Sequence, residues 1–232
     1  MMKRSYEKEL IDLGPSHYSK EEYEECLTQL ARIGRFLGGD RATLQSFKNL
    51  RNPQSILDVG CGGGHFTAEL ARRYPNASLL GIDLSAEAIA YAQKQHGNAK
   101  LNNLQFVATT SPQLTYETNQ FDVVTTTLVC HHMTDQQLIT FLKEAYRVAK
   151  HSVIINDLHR HWLAYFSFAC IAKPFFPNRL IFQDGLLSIK RGFKKKEWVD
   201  YLHAAEIPLK HCHLTWHWAF RWILKIDTSY KT

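Results

Sequence analysis

Ser55-Ile56-Leu57-Asp58-Val59-Gly60-Cys61-Gly62-Gly63-Gly64 is a short apolar run with a carboxylate near its end, followed by a turn in which four of five residues are glycine. Apolar residues then return at helical spacing, with Phe66, Leu70 and Ala71 on one face. A strand that stops at glycines and resumes as a helix opens an α/β nucleotide-binding fold. Glycine suits the turn because it reaches positive φ without strain and has no Cβ to hold a ligand off the backbone. A second apolar strand, Ala77 to Ile82, runs into Asp83. That acid stands about 20 residues beyond the loop, where such folds carry a ribose-binding carboxylate.

The loop also says which nucleotides to exclude. The dinucleotide fingerprint G-x-G-x-x-G/A fails because His65 occupies its third glycine position, and no Gly-Lys-Ser/Thr follows to make a phosphate-binding P-loop. Asp58 would repel a pyrophosphate near the turn but suits a ligand with cationic groups there. S-adenosylmethionine fits, with a sulfonium, an ammonium and a ribose.

On these residues the chain resembles the class I S-adenosylmethionine-dependent methyltransferases, in particular the small-molecule group that includes the ubiquinone and menaquinone methyltransferases. The resemblance lies in Asp58 to Gly64, in Gly81-Ile82-Asp83-Leu84-Ser85, and in Phe121-Asp122-Val123-Val124 through Leu128-Val129-Cys130-His131-His132. It covers about residues 50 to 157. Outside it, Glu9-Leu10-Ile11-Asp12, Leu37-Gly38-Gly39 and Asn156-Asp157-Leu158-His159-Arg160-His161 are similar to a bacterial subgroup often encoded beside polyketide or phenolic-lipid enzymes. The resemblance implies a Rossmann-like, mostly parallel seven-stranded sheet with helices on both faces, S-adenosylmethionine as cofactor, and a hydrophobic aromatic or polyketide acceptor. By the same token Gly60, Gly62 and Gly64 line the methionine side, Asp58 orients the loop and the cationic end, and Asp83 accepts the ribose hydroxyls. Cys61 and Leu84 flank these groups, and Thr126 and Thr127 stand where relatives contact the methionyl group. One departure is Ala108-Thr109-Thr110, where the family often has Gly-Asp-Ala with its acid on the adenine amine. Adenine contact then falls to Thr109 or to backbone groups.

The rest of the chain supplies the alternation that a doubly wound sheet needs. Ser85 caps a helix bearing Ile89 and Ala92, Leu104 to Ala108 and Phe121 to Thr127 are the third and fourth strands, and Thr134-Asp135-Gln136-Gln137 is a capping box. Leu138, Phe141, Leu142, Ala145 and Val148 continue that helix, and His151 to Asn156 is the fifth strand. Lys194 to Ala205 reads as a helix, and Leu209 to Trp216 with Phe220 to Ile226 as two final strands, antiparallel at a sheet edge by the resemblance.

Two segments decorate the methyltransferase-like domain of residues 51–232. Residues 1–50 form a helical extension with Leu27, Leu30, Ala31, Gly34 and Leu37 on one face and Gly38-Gly39 at its end, a lid candidate over the acceptor. Residues 158–193 fall where the family inserts a substrate cap and hold Trp162, Leu163, Tyr165, Phe166, Phe168, Ile171, Phe175 and Phe176. They read either as an extra helix packed on the core or as the wall of a hydrophobic acceptor pocket, with contact to a membrane surface or partner left open.

His131 and His132 either orient the loop after the fourth strand or meet the substrate. Asp157, His159 and His161 lie at the carboxyl end of the fifth strand, where ligands of such sheets bind. An imidazole there, His159 or His161, with His132 and Asp157 as further candidates, can take a proton from a phenol as its oxygen attacks the methyl group. The alternative is hydrogen bonding within the insert. His211, Cys212, His213 and His217 look like metal ligands, but strand alternation turns Cys212 away from the histidines, so no metal is expected.

Composition sets outer limits. The 232 residues are 45% hydrophobic, enough for one sizeable core. There is no uninterrupted run of about 18 apolar residues and no apolar signal core, so a cytoplasmic location is expected. The five cysteines are scattered without a C-x-x-C pair and read as reduced thiols. The net charge of +6, with Lys190, Arg191 and Lys194 to Lys196 clustered, suits either a solvated helix start or an anionic partner. Nucleic acid is the second choice, because the fourth strand leads into Leu128-Val129 and not into Asn/Asp-Pro-Pro-Tyr/Phe, and Cys130 lacks a preceding proline. A cofactor-binding protein without methyl transfer is a third reading.

Overall fold

The computed structural model describes residues 2–48, 50, 52–97, 101–176 and 178–231, with residues 173 and 174 described by their backbone alone. In chain order the elements are α1 (Lys20–Phe36), α2 (Gly39–Phe47), β1 (Ser55–Val59), α3 (His65–Arg73), β2 (Ser78–Asp83), α4 (Ala86–His96), β3 (Leu104–Ala108), β4 (Phe121–Thr127), α5 (Asp135–Val148), β5 (Ala149–Leu158), α6 (Trp162–Phe175), α7 (Arg179–Arg191), α8 (Lys195–Ala204), β6 (Cys212–His217) and β7 (Arg221–Asp227). The seven strands lie in the order β3-β2-β1-β4-β5-β7-β6. The first five are parallel; β7 runs antiparallel to β5, and β6 antiparallel to β7.

Strand alternation divides the apolar side chains between two faces. Leu57, Val124, Val153, Ile155, Leu224 and Ile226 pack under α5 and α8. Ile56, Leu79, Val123 and Ile154 pack under Phe47 of α2 and Leu70 and Ala71 of α3. Helices therefore cover both faces, as parallel strands buried on two sides require. The local signals hold where the side chain acts on its own backbone: Ser85 Oγ accepts the Ala88 N–H at 3.0 Å, and Thr134 and Gln137 form a reciprocal capping box.

Several boundaries differ from the sequence reading. The amino-terminal segment holds two helices, because Gly38 takes a left-handed φ of 73° that stops α1, and α2 restarts at once. The buried face of α1 is Tyr23, Cys26 and Leu27, whereas Leu30 and Leu37 are exposed, since α1 packs between α4 and α7 and not on the sheet. Strand β5 is longer than expected at both ends: Ala149 pairs with Phe121 of β4, and the pairing with β7 carries the strand on to Leu158–Arg221. Leu209 to His211 is a short 3-10 turn, so β6 starts only at Cys212. The insert is two helices, separated where Asn178 caps α7 by accepting the Leu180 N–H.

Candidate cofactor and acceptor site

The turn after β1 takes positive φ at Gly60, Gly62 and Gly64, at 71°, 51° and 73°. At Gly60 a Cβ would stand 2.4 Å from Val129 Cγ2, so the loop can sit against the end of β4 only as glycine. At Gly64 a Cβ would meet Phe106 at 2.5 Å and Ala92 at 2.9 Å, which makes this glycine the close-packing point between α3, α4 and the sheet. Leu27 of α1 lies against Gly62 and Gly63, so the amino-terminal helix covers the loop.

Asp83 is half-buried at the end of β2. One carboxylate oxygen accepts the Gly62 N–H at 2.8 Å and the other the Ser85 N–H at 2.9 Å, which leaves a lone pair on each for a hydroxyl donor. Asp58 faces inward instead. Its Oδ2 accepts the Thr67 hydroxyl at 2.7 Å, tying β1 to α3, and burial pushes its carboxyl up to about 7. Thr126 donates to the Val59 carbonyl at 2.7 Å and fastens β4 to β1, whereas Thr127 Oγ1 is buried without a partner among the described residues. The Thr109 N–H binds the Asp83 carbonyl, Leu84 is exposed, and burial holds the Cys61 thiol protonated, far above its usual range. A glycine cradle that a Cβ would fill, a carboxylate with free lone pairs and an orphaned buried hydroxyl fit a ribose-bearing, phosphate-free cofactor.

Beside this cradle the structure assembles groups that the sequence keeps far apart. His131, two residues past Val129, has Nδ1 2.7 Å from Asp157 Oδ1 and its N–H 3.2 Å from Oδ2. Burial opposes ionisation of Asp157, yet the His131 imidazole and its hydrogen bond hold the carboxyl below the usual range. His132 Nδ1 lies 2.7 Å from Asp12 Oδ1. Arg191 donates to Asp12 Oδ2 at 2.6 Å and to the His131 carbonyl at 2.9 Å. Burial works against Asp12 too, but His132 and then Arg191 keep it well below the carboxylate range. Glu9 is 2% exposed, and burial pushes its carboxyl up to about 7. Asp184 of α7 accepts the N–H groups of Leu10 and Ile11 at 2.8 and 3.1 Å and so pins the segment that carries Glu9 and Asp12.

Of the four candidate catalytic residues, the fold brings Asp157 and His132 into this cluster and leaves His159 and His161 outside it. His159 accepts the Trp216 indole N–H at 3.1 Å and lies 5.1 Å, ring to ring, from Trp222. His161 accepts the Leu163 N–H and caps α6, stacked 5.2 Å from Phe220. Glu9, Asp12 and Arg191 are site residues that reading the sequence does not single out. Their signal is faint: Glu9 and Asp12 stand only within a subgroup motif, and Arg191 within a basic run. That run is not one surface patch, because Arg191 is buried in the cluster and Lys190 lies over the Tyr165 ring at 5.1 Å. His211 stacks on Tyr230 at 4.7 Å.

Residues 56–152 match the family model described as a methyltransferase domain. An uncharacterized methyltransferase of Synechocystis sp. is 35% identical over 116 residues, 47% of this chain and 50% of that protein. The demethylmenaquinone methyltransferase of Oceanobacillus iheyensis is 31% identical, covering 44% of this chain and 42% of its own length. The ubiquinone biosynthesis O-methyltransferase of Bartonella tribocorum is 28% identical, covering 70% and 62%. The chain thus spans about half the length of the curated relatives it matches. Among solved structures, a SAM-dependent methyltransferase from Aquifex aeolicus aligns with a TM-score of 0.66 at 17% identity over 88% of this chain and 98% of its own. The plantazolicin methyltransferase BpumL, in complex with a pentazolic desmethylPZN analog and SAH, aligns at 0.67 and 17% identity over 92% and 91%. Residues 56–152 are thus similar to a methyltransferase domain, and the chain has the fold of solved SAM-dependent methyltransferases.

Proposed function

We propose that the protein transfers a methyl group from S-adenosylmethionine to an oxygen, less readily a carbon, of a hydrophobic small molecule such as a phenolic, quinonoid or polyketide product. One observation carries this reading: Val129 touches the Gly60 turn and the next three residues lead into the buried His131–Asp157 pair and the partly exposed His132–Asp12 pair. The place for the donor and the polar end of an acceptor site are thus joined through a few residues at the carboxyl ends of β1, β4 and β5. The names of the demethylmenaquinone and ubiquinone relatives favour a quinonoid or phenolic acceptor.

The cofactor, when bound, supplies an already activated methyl group, so the chain's task is alignment of donor and acceptor and removal of a hydroxyl proton where one is present. Gly60, Gly62 and Gly64 let the backbone approach, Asp83 receives ribose hydroxyls, and Thr127 offers its free hydroxyl. Asp157 and His132, or alternatively His159 or His161, orient or relay the acceptor proton. Helix α1 shields the loop from water. The five free cysteines accord with a cytoplasmic location as part of this reading.

Calorimetry tests the cofactor half of the proposal. Asp83→Ala should weaken S-adenosylmethionine binding by about 10-fold or more, since a charge-assisted hydrogen bond contributes about 1.5–3 kcal/mol. Gly60→Val should abolish binding, because its side chain meets Val129. Normal affinity in a folded Gly60→Val chain would overturn the assignment.

A further inference from the structure

Glu9, His131 and His132 converge in a way that proton transfer alone does not require. Each imidazole has its Nδ1 held by a carboxylate, His131 by Asp157 and His132 by Asp12, both at 2.7 Å. Each therefore turns its Nε2 toward the same buried carboxylate: His131 Nε2 is 3.7 Å from Glu9 Oε1 and His132 Nε2 is 3.8 Å from Glu9 Oε2. These separations are too long for hydrogen bonds. Glu9 Oε1 is buried and has no hydrogen-bond partner among the described residues. The three ligand atoms all lie within 4.8 Å of one another. Around a tetrahedral ion with bonds of about 2.1 Å, neighbouring ligand atoms stand about 3.4 Å apart, so closing their separations by at most about 1.4 Å brings this set onto one ion.

We infer that Glu9, His131 and His132 form a binding site for a first-row divalent cation of the zinc type. Two imidazoles and one carboxylate match the ligand preference of such ions, and three protein ligands leave a position open to a further oxygen. The carboxylates on the two Nδ1 atoms are the outer partners that metal-bound histidines ordinarily have, fixing the tautomer with Nε2 free to coordinate. Charge points the same way. Glu9 and Asp12 share one guanidinium, Arg191, whose Nη1 lies 2.6 Å from Asp12 and 3.7 Å from Glu9. A divalent cation offsets the carboxylate excess that this buried space otherwise holds.

In its use the site rests on the function proposed above: a hydroxyl acceptor at the open position would ionise more readily, its proton leaving to solvent or to a neighbouring base, before its oxygen forms the bond to the methyl carbon as the carbon–sulfur bond breaks. The binding itself is testable without either substrate. The full chain, stripped with chelator and titrated with Co²⁺ or Zn²⁺ alone, should take up one ion per chain, with Co²⁺ giving the visible absorption of a nitrogen–oxygen site. Glu9→Gln and His132→Gln should each lower affinity at least 10-fold. Asp12→Asn, which keeps all three ligands and loosens the His132 ring, should lower it about 10- to 100-fold. No uptake by the wild-type chain would overturn the inference, as would unchanged uptake in Glu9→Gln and His132→Gln chains that melt as wild type, since the ion would then be bound elsewhere. Calorimetry of S-adenosylmethionine on the stripped chain separates this failure from failure of the methyl-transfer reading.

Discussion

At the scale of single residues, His159 and Glu9 show burial acting on opposite charge types. Burial, reinforced by His161 and Arg160, holds the His159 imidazole down at about 4, so it is neutral at physiological pH. An unfolded histidine titrates near about 6.5, so between that value and the folded one the unfolded chain binds more protons. Native stability from this group is therefore complete above about pH 6.5 and falls as the pH drops toward 4. His159→Gln removes the effect, and its melting temperature should decline less than that of the wild type across this window. If His159 is also the acceptor's base, the same variant should lose about 10²–10⁴ in kcat for a protonated phenol and far less for an ionised one. Equal losses for both acceptors would leave it a packing residue. Glu9 differs because no local feature of sequence announces a buried carboxylate; its neighbours His131 and His132 lie more than a hundred positions away.

At the scale of elements, α6 is the segment whose composition and placement disagree most with an ordinary core helix. Trp162, Phe166 and Phe175 are 64%, 62% and 70% exposed, although Phe168 of the same helix packs against Gly185 of α7. Helix α7 in turn is tied to α1 by Asn178, whose amide donates to the Glu22 carbonyl at 2.9 Å. The insert and the amino-terminal helices thus form one layer beside the proposed acceptor site. Aromatic acceptors with an apolar tail should be methylated faster than short hydrophilic phenols, each buried CH₂ contributing about 0.8 kcal/mol. Trp162→Ala with Phe166→Ala should flatten a plot of kcat/KM against chain length. A flat plot for the wild-type chain would assign α6 to packing alone.

At the scale of the whole molecule, one core joins the parallel half of the sheet to the antiparallel hairpin. Trp198 of α8 is fully buried there, 4.4 Å ring to ring from Phe193, and its indole N–H finds no acceptor among the described residues. Trp198→Ala should cost about 3–5 kcal/mol in denaturant unfolding through the cavity it leaves. Trp198→Phe should cost much less, because the volume lost is partly offset by removal of an unsatisfied donor worth about 1–3 kcal/mol. If the two variants were equally destabilised, packing of that ring would not be what the hairpin rests on. By itself, the sequence determined the features set by contacts a few residues long: the glycine turn, the acid at the end of β2, the Ser85 and Thr134 caps, and the limits of β3 and β4. Propensity and periodicity act over one turn or one strand, so they are readable in line. Only the tertiary structure decided that β5 lengthens along β7, that α1 lies on the glycine loop, and that Glu9 and Asp12 meet His131 and His132. Those arrangements depend on pairing and burial between segments distant in the chain, for which a single sequence carries no periodic signal.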